Sequence, residues 1–390
     1  MRRVLMLALV LVLALVLVAA PGALLAQSSQ FGIRGLGFPG RSTSVQAMGA
    51  AGAFSFFDPA SSINPAALTQ SRAFTASYTI LQNYRSSRIA DLSESGRDTR
   101  FPQVAIGGPV RGTRLAFGVS FSGLTDRDFE LAATTMVPIR GVPVEVHDTL
   151  ASTGGLSDLR VAAAYAAGGW NVGAGVHVIT GSNRVQLSRV FADTAYAPVT
   201  QRSEISYAGA GFSAGAWRAF GDRLTVGGMV RIDGEASVDR DSGRVAEVPL
   251  PLSFGGGLQW RASSRLAVGG QALFRNWSRA DEALRALGGT GALDAVDLSA
   301  GVELTRNARR AQHRPIRFGV RFATLPFPVE TGERVREVGL SLGTGLRFAQ
   351  DRAGVDHAGV DLSLERVWRG ARGGFRETAW LIGIGITVRP

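Results

Sequence analysis

The chain ends in a strict alternation. After Trp380, every second position is taken by Ile382, Ile384, Ile386 and Val388, with Leu381, Gly383, Gly385, Thr387 and Arg389 between them. Successive side chains of a strand point to opposite faces, so one face is apolar and the other small and polar. That division suits a strand with lipid outside and a lumen inside. Weaker copies of the pattern precede it at 73–82, 101–110, 114–124, 158–167, 170–180, 203–217 and 223–232. Further copies lie at 252–261, 265–274, 294–304, 315–323, 335–348 and 357–367, and the series closes with 377–389. The expected fold is all-β: a transmembrane antiparallel up-and-down β-barrel of about 14 strands.

The connections support this reading independently. Those at 111–113, 168–169, 218–222 and 262–264 are short, whereas 83–100, 125–157, 181–202, 233–251, 275–293 and 324–334 are long. Short periplasmic turns alternate with longer extracellular loops in bacterial barrels. A soluble sandwich or propeller does not predict that alternation. Two turns, 305–314 and 349–356, are longer than the periplasmic side usually carries. The glycine runs 227–228, 255–257 and 269–270 are expected to mark bulges or bends. Close approach of a ligand or plug is the alternative.

The front of the chain reads as a secretory signal. Arg2 and Arg3 precede an apolar run over 4–18 and small residues over 19–26, which places cleavage after Ala26, with a cut after Ala20 as the alternative. No second long apolar run follows, so no transmembrane helix is expected after it. Absence of Cys excludes disulfides, thiolate metal sites and cysteine nucleophiles. The formal net charge of +11 invites a nucleic-acid partner, but the 42 basic residues are all Arg and are scattered along the chain. A nucleic-acid surface needs a basic stripe on one element, so no nucleic-acid partner is expected. The 50 Gly fit strands whose inward face must leave room.

Between the signal and the first strand, residues 27–72 are Gly-, Ala- and Ser-rich and do not alternate. They hold the small-residue block from Met48 to Ala53, then Phe54, Phe56 and Phe57, Asp58, and Asn64-Pro65-Ala66 with Leu68. An Asn-Pro step initiates a turn, because Asn bonds its own backbone and Pro fixes φ. A compact, turn-rich segment ahead of a barrel reads as a plug. The expected organisation is therefore signal 1–26, hatch 27–72 and barrel 73–390.

On the Met48–Ala53 block, Asp58, and Asn64-Pro65-Ala66 followed by Leu68, the chain resembles the FadL family of outer-membrane transporters for long-chain fatty acids and other hydrophobic compounds. It departs from that family in ending Val388-Arg389-Pro390 rather than in Phe or Trp. The resemblance implies an N-terminal hatch in a fourteen-stranded barrel and passive uptake, with a fatty acid or similar hydrophobe as partner and outer-membrane lipid and lipopolysaccharide around the wall. Capture residues are then expected among Phe129, Leu131, Met136, Val137 and Ile139, and among Val185, Leu187, Val190, Phe191 and Tyr196, with Phe54, Phe56 and Phe57 on the hatch. Arg41, Arg140 or Arg184 are candidates to pair with a carboxylate headgroup. The same motif run also looks like PorV-type barrels, which implies the alternative of a secretion or surface-attachment scaffold with a protein client.

A lipid-active enzyme is the third class. Four His are present, His147, His177, His313 and His357, but no GxSxG elbow appears. His177, on a strand, is expected as a lumen-facing polar residue. Asp126, Asp128, Glu130, Glu145 and Asp148 lack the spacing of a calcium loop. No cofactor, metal or catalytic residue is expected.

Overall fold

The computed structural model describes residues 29–89, 92–241, 243–305, 314–329, 332–350, 356–371 and 374–389. The expected signal, residues 27 and 28 of the hatch, and His313 lie outside them. The N-terminal strand is β1 (Phe38–Pro39), followed by β2 (Thr75–Ile89), β3 (Leu92–Pro109), β4 (Leu115–Asp126), β5 (Phe129–Ile139) and β6 (Val142–Ala167). The middle of the chain gives β7 (Trp170–Phe191), β8 (Val199–Phe220), β9 (Leu224–Asp233), β10 (Glu235–Arg240), β11 (Gly243–Pro249) and β12 (Leu252–Arg261). The rest is β13 (Leu266–Asn276), β14 (Ala295–Thr305), β15 (Pro315–Thr324), β16 (Arg336–Gln350), β17 (Asp356–Gly370) and β18 (Arg376–Val388).

Fourteen of these close a ring: β2, β3, β4, β6, β7, β8, β9 and β12 to β18, with β18 returning to pair along β2 from Val388–Ala76 to Arg376–Arg88. Each of the fourteen alternating segments read from sequence falls in one wall strand. The alternation is visible in the side chains. Phe117, Val119 and Phe121, or Phe318, Val320 and Phe322, are exposed outside, while their neighbours face inward and are buried. Among the described residues no helix is long and apolar enough to cross a membrane.

The expected long loops are corrected. Segments 83–100, 125–157 and 181–202 are largely ladder, not irregular chain: β2 and β3 pair up to Ile89–Leu92, and β6 and β7 pair without interruption from Ala167–Trp170 to Val146–Phe191. β5 continues the line of β4 along the upper half of β6, which returns after the tip at 140–141, and 233–251 forms the β10–β11 hairpin. The physical reason is that side-chain alternation reports a difference between the two environments of a strand. Backbone pairing persists where both faces carry polar side chains, and there the alternation fades. Residues 275–293 differ again: a turn at Trp277–Ala280 and a helix at Asp281–Ala286 fold over the lumen. Trp277 and Leu284 pack there with Leu36, Leu250 and Phe327 as an apolar cap.

Residues 29–72 fill the interior. Ser44 caps the short helix Val45–Met48 by accepting from Ala47 N–H at 3.2 Å, and Asn64 caps the 3-10 turn Pro65–Gln70 by accepting from Ala66 N–H at 3.0 Å. Small residues let this segment lie against the wall. A Cβ added at Gly343 would sit 2.5 Å from Gly49 Cα, and one at Gly215 would sit 2.1 Å from Asn64 Oδ1. The same contacts revise the reading of the glycine runs as bulges. The β9–β12 and β12–β13 ladders pass through 227–228, 255–257 and 269–270 with unbroken register. Gly255 and Gly257 instead face Phe56, and Gly269 faces Phe54. Glycine stands there because plug side chains occupy the space a Cβ would need.

Candidate functional site: the plugged lumen and a break in the wall

The inward face of the wall is a lattice of arginines and carboxylates. Arg321 on β15 forks onto Asp297 of β14 at 2.9 and 2.8 Å and also bonds Glu337 of β16. Arg369 of β17 bonds the same Glu337 and, at 2.6 Å, Glu377 of β18. Elsewhere Arg317 joins Glu303 to Asp361, and Arg347 shares Asp361 at 3.0 Å. Buried charges require this pairing, since an isolated one is costly in a low dielectric.

The plug is tied into the lattice at several points. Arg41 forks onto Glu365 at 3.0 and 2.5 Å, Gln46 accepts from Arg347, and Ser29 Oγ donates to Glu377 at 2.8 Å. Trp217 Nε1 donates to Ala66 O at 2.9 Å. Within the plug, Asp58 accepts from Ser44 Oγ, from Ser61 Oγ at 2.8 Å and from Ala60 N–H at 3.0 Å, which binds the helix cap to the following turn. Burial pushes the Asp58 carboxyl above the ordinary carboxylate range, against those three hydrogen bonds.

Two adjoining cavities of about 90 and 80 Å³ lie between the plug and the cap. Arg41, Met48, Arg275, Trp277, Asp297 and Arg321 line both, and Phe38 and Leu81 line the first. Arg275 approaches Asp297, whose two oxygens are already held by Arg321. The space is thus apolar on some sides and cationic on another.

The first cavity reaches the wall where the wall is incomplete. β3 pairs with β4 from Pro109–Ala116 up to Gln103–Ser122 and no further. Above that point β3 continues with β2 alone, while the end of β4 pairs with β6 and, at Thr125 and Asp126, with β1 of the plug segment. Pro102, which has no N–H to donate, stands at the break and lines the cavity. Arg100 spans it, bonding Asp98 on its own strand at 2.5 Å and Asp126 of β4 at 3.3 Å.

The sequence-derived candidates are placed as follows. Phe56 and Phe57 are buried with Met229 and Leu273, and Phe54 lies against Gly269, so these rings anchor the plug to the wall rather than facing either cavity. Phe129, Leu131 and Phe191 share one face of the β5–β6–β7 sheet above the barrel, where Leu131, Leu150 and Leu187 lie in a row across the strands. Met136 stands opposite Glu145 and therefore on the other face, apart from that row. Phe191 packs on Tyr196, with ring centroids 5.4 Å apart. Of the three candidate cations, Arg41 is held by Glu365 and Arg184 lies 3.6 Å from Glu204, while Arg140 sits at the β5–β6 tip with φ 52°. Asp58, Asn64, Pro65 and Ala66 all lie in the plug. Phe38, Leu81, Trp277 and Arg275 were missed as cavity residues. Leu81 alone carried a signal, as an inward position of a predicted strand occupied by an apolar residue.

The enzyme class has one geometric feature. On three adjacent strands His177 Nε2 lies 2.8 Å from Ser213 Oγ, and its Nδ1 lies 2.9 Å from Asp158 Oδ1. The order matches a hydrolase triad. None of the three lines either cavity, each is at most 5% exposed, and Asp158 is also held by Arg231 at 2.6 Å. The arrangement acts as a polar cross-link of β6, β7 and β8. Ser213→Ala is expected to lower stability by about 1–3 kcal/mol, by leaving a buried ring nitrogen unpaired. A fluorophosphonate is expected to leave the protein unmodified, and labelling at Ser213 would overturn the cross-link reading. Among the described residues no three His, Asp or Glu group as a metal site.

A family model described as BamG matches residues 1–225, more than half of the chain. The chain belongs to the BamG family. No curated protein matches this BamG-family chain by sequence. Among solved structures it is similar to a FadL homologue of Pseudomonas aeruginosa, with 14% identity, TM-score 0.61, and 90% of this chain and 99% of that one covered. The CymD monoaromatic hydrocarbon channel gives 16% identity, TM-score 0.55, and 92% and 99% coverage. The toluene transporter TbuX of Ralstonia pickettii gives 14% identity, TM-score 0.53, and 91% and 99% coverage. At such identities the BamG-family chain shares their fold.

Proposed function

We propose that this protein is an outer-membrane barrel that passively takes up hydrophobic compounds, of the long-chain fatty-acid type. The observation that carries the reading is the coincidence of a lumen cavity with the break between β3 and β4. A hydrophobe caught on the apolar row Leu131, Leu150 and Leu187 descends past the cap into the cavity beside Trp277 and Leu81. It leaves through the gap at Pro102, into lipid, or past the plug when that segment shifts. The exposed apolar belt supports membrane placement, because such a surface on a soluble monomer would drive association. The solved neighbours are named as a FadL homologue, a monoaromatic hydrocarbon channel and a toluene transporter, which agrees with a hydrophobic cargo.

Leu81→Trp tests this reading by filling the first cavity. Overpacking of about 1–3 kcal/mol is expected to cut uptake of labelled oleate by about tenfold or more, in cells lacking their own transporters. Uptake equal to that of the unmodified protein would remove the cavity from the path.

A second reading draws on a different observation. Among the described residues β5 pairs in register only with β6, and its far edge carries no wall strand. An unpaired edge can accept a strand from another protein, as a scaffold with a protein client would require.

A further inference from the structure

The outward face of β16, β17, β18, β2 and β3 holds a second kind of surface. Register places Arg336, Gly370, Arg376, Arg88 and Ser93 in one row across the five strands. A parallel row, four residues further down the barrel, is Leu340, Arg366, Trp380, Tyr84 and Arg97. Residues that pair across antiparallel strands share a face, and Leu340, Tyr84 and Trp380 are exposed, so both rows point away from the lumen. Below them on β16, β17 and β18 the surface is apolar, with Leu342, Leu364 and Ile382 exposed, and the same row ends in Gln82 and Thr99 on β2 and β3.

Five arginines therefore crowd the upper border of the apolar belt, at the end of the barrel that carries the cap. Neighbouring strands lie about 4.8 Å apart and residues rise about 3.4 Å, so the two rows are about 14 Å apart along the strands. None of the five has a carboxylate partner among the described residues, in contrast to the paired arginines of the lumen. The acids next to them in sequence, Asp98, Glu337, Glu365 and Glu377, are buried on the inward face, and Glu94 is turned onto Gln30. Arg366 is held in place by two indoles, 4.9 Å from the centroid of Trp380 and 5.7 Å from that of Trp368. Aromatic rings at this height mark the membrane–water interface, and the charges just beyond them meet headgroups.

We infer that this face is a docking site for the phosphorylated, acylated sugar headgroup of lipid A in the outer leaflet. Arg366 and Arg97 would meet a phosphate near the acyl boundary, with the Arg88–Arg376–Arg336 row above it. Three features of the surface select this occupant. Unpaired guanidinium groups bind phosphate in a fork, the apolar belt directly beneath suits acyl chains, and the aromatic pair fixes the depth. The inference rests on the membrane placement proposed above, but not on uptake of any cargo.

The test uses the full-length protein in a neutral detergent, titrated with diphosphorylated lipid A and followed by native mass spectrometry. Retention of lipid A is expected, and enzymatically dephosphorylated lipid A is expected to bind far more weakly. The triple variant R88Q/R336Q/R376Q should lose about a hundredfold in affinity, as three surface arginines facing an anionic lipid would predict. R218Q removes an arginine that stacks on Trp170 and Phe220 at the other end of the barrel, and it should bind as the unmodified protein does. Equal retention of the phosphorylated and dephosphorylated forms by the unmodified protein would overturn the proposal without any variant. So would a loss in R218Q as large as in the triple variant. Oleate uptake measured in parallel separates the readings, since its failure leaves lipid A retention untouched.

Discussion

A barrel carrying N64A and P65A together should keep its fourteen-strand wall yet leak. Asn64 is 1% exposed and makes two hydrogen bonds, accepting from Ala66 N–H at 3.0 Å and donating from Nδ2 to Phe56 O at 3.1 Å. Removing them leaves two buried backbone groups unpaired, at about 1–3 kcal/mol each. Pro65→Ala adds backbone freedom to the displaced state. The strands keep all their pairings, because no wall residue changes. A loss of even 1–2 kcal/mol raises the displaced population by about 5- to 30-fold. Planar-bilayer conductance and uptake of a small hydrophilic dye should rise accordingly, while the heat-dependent shift of the folded barrel on gels stays as before. An unchanged conductance would show that this turn does not hold the plug.

Replacing Arg321 by Met is expected to be the most damaging single change in the wall. Its guanidinium serves Asp297 and Glu337 at once, and it is 8% exposed. Without it Asp297 loses both its fork bonds, and Glu337 keeps only Arg369. Breaking a buried charge network from one side costs about 3–5 kcal/mol. The denaturant midpoint of the detergent-solubilised barrel should fall by a matching amount. Adding Asp297→Asn to Arg321→Met should recover part of it, because the stranded charge is then gone. A single variant as stable as the unmodified protein would mean that water replaces the ion pairs at this site.

The wall was legible because a membrane strand has two unlike faces, and Ile382 to Val388 against Gly383 to Thr387 records that contrast directly. The hairpins above the belt were not legible. Ser86, Arg88, Ser93 and Ser95 pair as regularly as Ile382 and Leu364, but the inward neighbours Arg85 and Ser87 are polar too, and a strand polar on both faces shows no alternation. The turn at Asn64-Pro65 could be read, since that step carries its own chemistry, whereas the seating of residues 29–72 against the wall could not. Gly215 and Gly257 gave no hint that Asn64 and Phe56 lie opposite them, more than 150 residues away in the chain. The cavity residues were hidden for a related reason: Phe38, Trp277 and Arg275 come from a plug strand, a capping turn and a strand end, and only closure of the ring brings them together.

The ring closes between β18 and β2, which makes that seam the last joint of the cylinder. Ser29 bonds Glu377 on one side of the seam, and Gln30 bonds Glu94 on β3, beyond the other side. The plug touches wall strands on every side and precedes all of them in the chain. Because it is joined to the first wall strand, it is held at the mouth of the ring from the moment that strand forms. The seam is thus braced twice, by the β18–β2 ladder and by leading residues that bond to strands on both sides of it, so loosening residues 29 and 30 weakens the cylinder at its one joint between first and last wall strands.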